Sequence, residues 1–372
     1  MLTAFGINKI PEGIGLNLMP YSITPMYLQY VNDLNLDYVR TGIPWGCVEK
    51  SPGVYDWNEY DKLISTLKTY NIKPMIVIGF NNSIYGASNV FTGISTSLQR
   101  EAFTRFAEKL LARYKNQDIV WEIWNEPNIG EFWKPSPNSK DYALMAKYML
   151  NILRKNFPSE IIIAPALAMP NRGEFISVCQ KYGVFNMTDG VSMHFYKSDG
   201  NTVVMPEWIN IPEISSYITK NIESNRFDNK KIPLIASELG YSTSWQGITD
   251  DIQGIYLQRE LIINRANQIP ISIIHTLMDL SNNRSDDESN FGLIKSNFSP
   301  KSSYFMIKEL AGELRGAKFV KTYPTENSND HVYEFQKDYK KLIFAWTTDK
   351  SHTIKIYEIN VNLSQSVKAI IW

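Results

Sequence analysis

Apolar runs with strand character recur along the chain, separated by segments with apolar spacings of three and four. The strand-like runs are Gly13–Leu18, Tyr38–Ile43, Lys73–Phe80, Ile119–Asn125, Ile161–Ala166, Gly190–Tyr196, Leu234–Glu238 and Ile271–Met278. Between them the spacing predicts helices at Pro25–Leu34, Trp57–Tyr70, Leu98–Tyr114, Lys140–Asn156, Gly173–Lys181, Pro212–Ser224, Ile252–Asn267 and Lys301–Leu314. Phe103, Phe106, Ala107, Leu110 and Leu111 show the helical period. Pro74, Pro158, Pro233 and Pro270 fall in the turns that follow helices. Strands and helices in strict alternation predict an α/β fold, a (β/α)8 TIM barrel over residues 11–315.

After Leu314 the period changes. Short alternating segments, Ala317–Tyr323, His331–Gln336, Leu342–Thr347, Thr353–Tyr357 and Val367–Trp372, are split by polar turns such as Glu326–Asp330. They predict a small C-terminal antiparallel β-region, residues 316–372, packed on one face and too small to stand confidently alone. Residues 1–10 are expected to add to it.

Composition narrows the function. The chain of 372 residues is 44% apolar and 20% charged, which is globular. Lys plus Arg equals Asp plus Glu at 38 each, so the basic excess of a nucleic-acid binder is missing. This balance leaves room for a neutral, hydroxyl-rich ligand, and 9 Trp, 21 Tyr and 17 Phe suffice for a core and for a groove that stacks on flat faces. Cys47 and Cys179 make no disulfide framework, and four histidines lack ligand spacing, so no metal and no cofactor is expected. No apolar run approaches the ~20 residues of a membrane span. Met1–Gly13 has neither a basic start nor a long apolar run, so no signal peptide is read there, and a mature secreted or periplasmic form would look the same. Oligomeric state is not read from the pattern.

Two carboxylates carry the chemistry. The fourth strand reads Val120-Trp121-Glu122-Ile123-Trp124-Asn125-Glu126-Pro127-Asn128. Pro127 cannot donate to a ladder and ends it, which leaves Asn125 and Glu126 at a carboxyl end. Beside Trp124 and Trp133 a carboxyl is expected to be partly desolvated, with a raised pKa suited to a general acid. Strand seven, Leu234-Ile235-Ala236-Ser237-Glu238-Leu239-Gly240-Tyr241, places Glu238 at the same mouth. Paired carboxylates there suit glycosidic cleavage. His194 and Tyr196 share one face of strand six, and either could orient Glu238. An inward Arg40 needs a carboxylate partner, with Glu238 and Glu122 both candidates. Asn81 and Trp45 are expected to line the mouth, and Trp133, Trp208 and Trp245 to serve as sugar platforms.

These motifs resemble the retaining (β/α)8 glycoside hydrolases of clan A, over nearly the whole barrel. Trp124-Asn125-Glu126-Pro127 and Ser237-Glu238-Leu239-Gly240-Tyr241 carry the resemblance, with the Arg40 strand and Pro52-Gly53-Val54-Tyr55-Asp56-Trp57. Asn290-Phe291-Gly292-Leu293-Ile294, followed by Pro300-Lys301, is similar to glycoside hydrolase family 39 in particular. The resemblance implies Glu126 as acid/base, Glu238 as nucleophile and Asn125 as partner of a sugar 2-hydroxyl, with His194 and Tyr196 as the strand-six pair. Tyr241, Trp245, His275 and Asp279 complete the expected substrate contacts. Where such enzymes usually carry a strand-eight Trp, this chain has His275-Thr276-Leu277-Met278-Asp279. The implied activity is retaining hydrolysis of O-glycosidic bonds in an oligo- or polysaccharide. A transglycosylase would use the same two carboxylates, and a non-catalytic carbohydrate-binding barrel would need neither.

Overall fold

A computed structural model of the protein describes residues 8–169, 172–196, 204–208, 211–226 and 231–371. Eight parallel strands close into a barrel: β1 (Gly13–Asn17), β2 (Tyr38–Pro44), β3 (Lys73–Gly79), β4 (Val120–Ile123), β5 (Ile161–Leu167), β6 (Gly190–Phe195), β7 (Leu234–Leu239) and β8 (Ile271–Ile274). Each pairs with its sequence neighbour, and β8 returns to β1 through Gly13–Leu16 against Ile271–Ile274. The outer ring is α1 (Pro25–Asp33), α2 (Asn58–Thr69), α3 (Ser97–Tyr114), α4 (Ser139–Asn156), α5 (Arg172–Lys181), α6 (Ile211–Asn221), α7 (Asp250–Ala266) and α8 (Ser302–Leu314). The predicted alternation is therefore the observed one. Parallel strands covered on both faces explain why β3 reads as an almost unbroken apolar run.

Local chemistry starts and stops these elements. Thr96 caps α3 in a capping box, its hydroxyl accepting from Gln99 N at 3.2 Å while Gln99 Oε1 accepts from Thr96 N. Pro52-Gly53 turns a short hairpin, Glu49–Ser51 against Val54–Tyr55, that the sequence reading did not separate out. Gly53 has φ +77°, which favours glycine, and its N–H donates to Glu49 Oε1 at 2.6 Å.

The barrel floor is apolar. Ile10 packs with Tyr38, Met75, Val120, Ile163, Ile235, Ile271 and Ile273. Asn8 donates its N–H to Asp189 at 2.7 Å and its amide to Pro158 and Glu160 carbonyls. Residues 8–10 thus close the amino end of the barrel rather than extending the C-terminal β-region, and residues 1–7 lie outside the described residues. Asp189 is buried, and it also accepts from Arg154 at 2.5 Å and from Ile162 N at 2.8 Å. A buried carboxylate with three donors is satisfied rather than stranded.

The C-terminal strands are β9 (Lys318–Thr322), β10 (Asp330–Lys337), β11 (Lys340–Thr347), β12 (His352–Ile356), β13 (Ile359–Leu363) and β14 (Lys368–Ile371). They form a four-stranded sheet, β9-β10-β11-β14, and a two-stranded sheet, β12-β13. The expected single packed face is corrected: β11 is covered on both. Phe335, Leu342, Phe344 and Trp346 join the large cluster shared by barrel and helices. The alternate residues Ile343 and Ala345 pack with Ile356, Val361 and Leu363 of the small sheet.

Trp346 locks this appendage to the barrel. It is fully buried, stacks on His331 at 5.4 Å, and donates its indole N–H to Glu207 Oε1 at 2.7 Å. Trp346→Ala should cost about 3–5 kcal/mol, because it opens a cavity and strips Glu207 of a donor. Urea denaturation with matched m-values measures this loss.

Candidate active site

Most polar groups of the site come from the barrel strands at or near their carboxyl ends. β4 stops at Ile123, two residues earlier than its apolar run suggests, because Trp124 (φ +69°) and Glu126 (φ +44°) take left-handed backbone. Such residues each cost roughly 1–3 kcal/mol and persist only where the surroundings hold them. Trp124 N donates to Ile78 O, Glu126 N to Ala166 O, and the Trp124 indole to Phe132 O at 2.9 Å. The neighbouring strands thus hold the turn that presents Asn125 and Glu126.

Arg40, only 3% exposed, organises the rest. Its Nε donates to Glu122 Oε2 at 2.7 Å, Nη1 to Glu238 Oε2 at 2.8 Å and Nη2 to Asn125 Oδ1 at 2.7 Å. Both candidate partners are therefore used, Glu122 from below and Glu238 from the mouth. Burial opposes the guanidinium charge, but the two carboxylates outweigh burial and hold its pKa above the ordinary value.

His194 links the two mouth carboxylates. Its Nδ1 lies 2.8 Å from Glu126 Oε1 and 3.8 Å from Glu238 Oε2. The two oxygens are therefore no farther apart than the sum of those distances. That limit sits at the bottom of the roughly 6.5–9.5 Å an inverting pair needs and leaves room for the ~5–5.5 Å of a retaining pair. Nε2 faces Arg40 Nη2 at 3.4 Å. A guanidinium only donates, so Nε2 accepts and Nδ1–H is left to donate to Glu126.

Glu238 is held ionised. Burial alone would raise its pKa, but His194, His275, Arg40 and the Tyr196 hydroxyl bring it down to about 2. Tyr196 Oη donates to Glu238 Oε1 at 2.5 Å, and burial with that carboxylate holds the phenol far above its usual range. Asn17, at the end of β1, reaches Glu238 Oε2 at 3.3 Å and His275 Nδ1 at 3.2 Å. His275 Nδ1 lies 3.7 Å from Glu238 Oε1, and Nε2 lies 3.5 Å from Glu288 Oε2. Burial would lower the His275 pKa, yet Glu238 and Glu288 outweigh it and raise it.

The wall beside His275 is aromatic. Phe291 stands edge-on to His275 at 5.1 Å, Tyr196 at 5.7 Å and Trp245 at 5.3 Å. Phe291 reaches them because β8 ends at Ile274, not at Met278. Residues 276–279 pair instead with 291–294, through Leu293 N to Thr276 O and Ile294 N to Leu277 O. Gly292 makes this approach feasible, since a Cβ there would sit 2.1 Å from Asp279 N.

Several expected contacts are not at the mouth. Trp45 is fully buried against Tyr85, Phe103 and Phe106. Trp133 is buried against Trp124 and Tyr142. Asn81 turns its amide to the Thr92 and Gly93 carbonyls. Tyr241 is buried and donates to Glu260 at 2.7 Å, and Asp279 pairs with buried Lys301 at 2.8 Å. All five are apolar-rich or loop-end residues that a linear reading places at the mouth, and packing turned them inward. Half-buried rings near β3 and β4 come instead from Phe80, Phe91 and Phe132. Asn17 and Glu288 escaped the sequence reading. A polar residue ending the apolar first strand was the available signal for Asn17, whereas Glu288 had none. Among the described residues no group of three or more His, Cys, Asp or Glu could hold a metal, and no helix is long and apolar enough to cross a membrane.

Stability should depend on pH through the two shifted groups. Glu238 binds its proton less readily folded than unfolded, so its contribution is full above pH 4.5 and fades as pH falls toward 2. His275 binds its proton more readily folded, so its contribution is full below 6.5 and fades as pH rises through its elevated folded value. His275→Gln should remove that alkaline loss and start the acid loss at higher pH. Thermal midpoints from pH 3 to 9 for both proteins read this out.

Comparison with known proteins bears on identity. A family model described as cellulase (glycosyl hydrolase family 5) matches residues 8–274. A β-xylosidase of Geobacillus stearothermophilus is 23% identical over 159 residues, 39% of this chain and 31% of that protein. A 6-phospho-β-glucosidase of Dickeya chrysanthemi is 25% identical over 114 residues, 29% of this chain and 24% of that protein. The chain thus matches less than a third of the length of either relative. The fold is shared with a family 39 glycoside hydrolase from Bacteroides cellulosilyticus WH2, with TM-score 0.82 and 23% identity over 96% of this chain and 80% of that one. It is also shared with a monomeric β-xylosidase from Caulobacter crescentus CB15, with TM-score 0.69 and 19% identity over 95% and 80%. The expected kinship with clan A therefore holds, with family 39 enzymes among the similar structures and family 5 as the matching sequence model. Because that match runs from the barrel floor to the last residue of β8, the chain belongs to the cellulase family, glycosyl hydrolase family 5.

Proposed function

We propose that this protein is a retaining O-glycoside hydrolase that cleaves a β-linked oligo- or polysaccharide by double displacement. The observation that carries this reading is the single His194 nitrogen within 2.8 Å of Glu126 and 3.8 Å of Glu238. The relatives named above act on β-xylosides and phosphorylated β-glucosides, which supports a β-linkage. Half-buried Tyr196 on Glu238, and half-buried Trp245 behind Phe291, support a ligand with flat apolar faces.

In this reading Glu238 is the nucleophile. Its depressed pKa keeps it anionic, and Arg40, Tyr196 and Asn17 hold its oxygens toward the anomeric carbon. Glu126 protonates the departing glycosidic oxygen while the Glu238 ester forms. His194 Nδ1–H then steadies the Glu126 carboxylate as it takes a proton from the incoming water. Water attacks the anomeric carbon, the ester bond breaks, and Glu238 leaves as a carboxylate. Arg40 engages the Asn125 oxygen, so the Asn125 N–H group is the side offered to a sugar 2-hydroxyl. His275 stands where clan relatives carry Trp, and it offers this subsite an imidazole edge in place of an indole face.

Glu238→Ala should abolish turnover of every glycoside. Glu126→Ala should still release activated aryl leaving groups in the first step, and azide should restore its turnover by attacking the glycosyl ester without base assistance. Stopped and continuous assays with nitrophenyl glycosides distinguish the two variants. Proton NMR within minutes of mixing should show a first-formed product with the substrate's anomeric configuration. An inverted product would overturn the mechanism even with both carboxylates essential.

A further inference from the structure

One imidazole of the mouth lies between two carboxylates. His275 has Nδ1 3.7 Å from Glu238 Oε1 and Nε2 3.5 Å from Glu288 Oε2. The His275 side chain is 21% exposed, whereas that of Glu288 is 73% exposed. The turn that carries Glu288, between β8 and α8, is nonetheless fixed on both sides. Asp287 O accepts from the Ser242 hydroxyl at 2.8 Å, Leu280 N donates to Ser289 O at 3.1 Å, and Thr243 N donates to Asn290 O at 3.0 Å.

The ring has two proton states, and each holds Glu238 differently. Asn17 Nδ2 stands 3.2 Å from His275 Nδ1 and 3.3 Å from Glu238 Oε2. An amide nitrogen only donates, so Nδ1 accepts in this arrangement, and the ring is neutral with its proton on Nε2, toward Glu288. A second proton, on Nδ1, would meet the Asn17 N–H, and the amide has to give way. The new N–H then points to Glu238 Oε1. Glu238 is thus held by Asn17 when the ring is neutral and by the imidazolium when it is charged. Among the described contacts, the ring faces Glu238 of β7, Glu288, Tyr196 of β6 at 6.3 Å, Arg40 of β2, and the uncharged Asn17 and Phe291. Burial and Arg40 oppose the imidazolium, but the two carboxylates favour it and prevail.

We propose that His275 is a positioning residue whose proton follows the charge on Glu238, and that Glu288 sets how firmly that proton is held. This role rests on the glycosidase reading. In the first step a Glu238 oxygen bonds the anomeric carbon, the glycosidic C–O bond breaks with its electron pair on the leaving oxygen, and Glu126 protonates that oxygen. The ester carries no charge, so the imidazolium loses one of its two carboxylates and releases its Nδ1 proton to solvent. When water, deprotonated by Glu126, breaks the ester, Glu238 is a carboxylate again and the ring takes up a proton. A charged ring stabilises the carboxylate against the ester, so it opposes the first step and favours the second.

Two measurements on the full chain test this. The first is a histidine NMR titration, with the His275 signal assigned by its loss in His275→Gln. Glu238→Gln stands in for the uncharged ester, and its His275 should titrate at lower pH than in the wild type. Glu288→Gln, a change at an exposed side chain, should also lower it, by roughly half a pH unit or more. The double variant should titrate lowest. A His275 titration unmoved in either single variant overturns the role. The second is kcat/KM for dinitrophenyl glycosides, whose leaving group needs no proton from Glu126. It should rise with pH through the His275 titration of the free enzyme, Glu288→Gln should move the rise to lower pH, and His275→Gln should abolish it. A rise that persists in His275→Gln, or a Glu288→Gln profile superimposed on that of the wild type, overturns the role as well. Failure of the wild-type chain to cleave any glycoside would instead sink the catalytic reading, while the NMR titrations still decide whether the proton follows Glu238.

Discussion

The site depends on one buried cation. Arg40 lies on β2, buried above an apolar barrel floor, and an unpaired charge there would cost several kcal/mol. Three acceptors, from β4, the turn after it and β7, meet its three nitrogens at 2.7–2.8 Å, in the planar fork that guanidinium imposes. That geometry fixes the Glu238 carboxylate, the Asn125 amide and, through Nη2, the His194 tautomer. Lysine could neutralise one carboxylate there, but it could not orient three groups at once.

Strain and charge are arranged against this fixed point. The left-handed turn at Trp124 and Glu126 is unfavourable locally and is held by hydrogen bonds to β3 and β5. Glu238 remains ionised in spite of burial because Arg40, His194, His275 and Tyr196 surround it. Glu126 faces the His194 Nδ1–H instead. Two carboxylates beside one imidazole thus sit in different environments, which is the condition for giving them different roles.

The C-terminal sheets contribute from a distance. They add Phe335, Phe344 and Trp346 to the core that supports the helices, and Trp346 fastens the loop bearing Glu207 and Trp208. The appendage therefore bears on the carboxyl face of the barrel through the Trp346 indole, although none of its residues contributes a group to the carboxylate site among the described contacts.

Period and strand-end chemistry determined the eightfold alternation, because parallel strands covered on both faces must be apolar runs and helices must carry apolar stripes. They also brought Asn125, Glu126, His194, Tyr196 and Glu238 to one mouth, since polar residues near the ends of apolar strands have one common destination in a barrel, and an inward Arg40 to a carboxylate partner. What the linear chain could not settle was which rings face the mouth. In sequence Trp45 reads as lining the mouth and Trp133 as a platform, and both are core, while Phe291 comes from a segment that becomes adjacent only when residues 276–279 leave β8 to pair with it. Asn17 and Glu288 meet His275 across 258 and 13 residues of chain. Burial of a ring and contact across a closed barrel depend on three-dimensional neighbours, and those exist only after β8 has paired with β1.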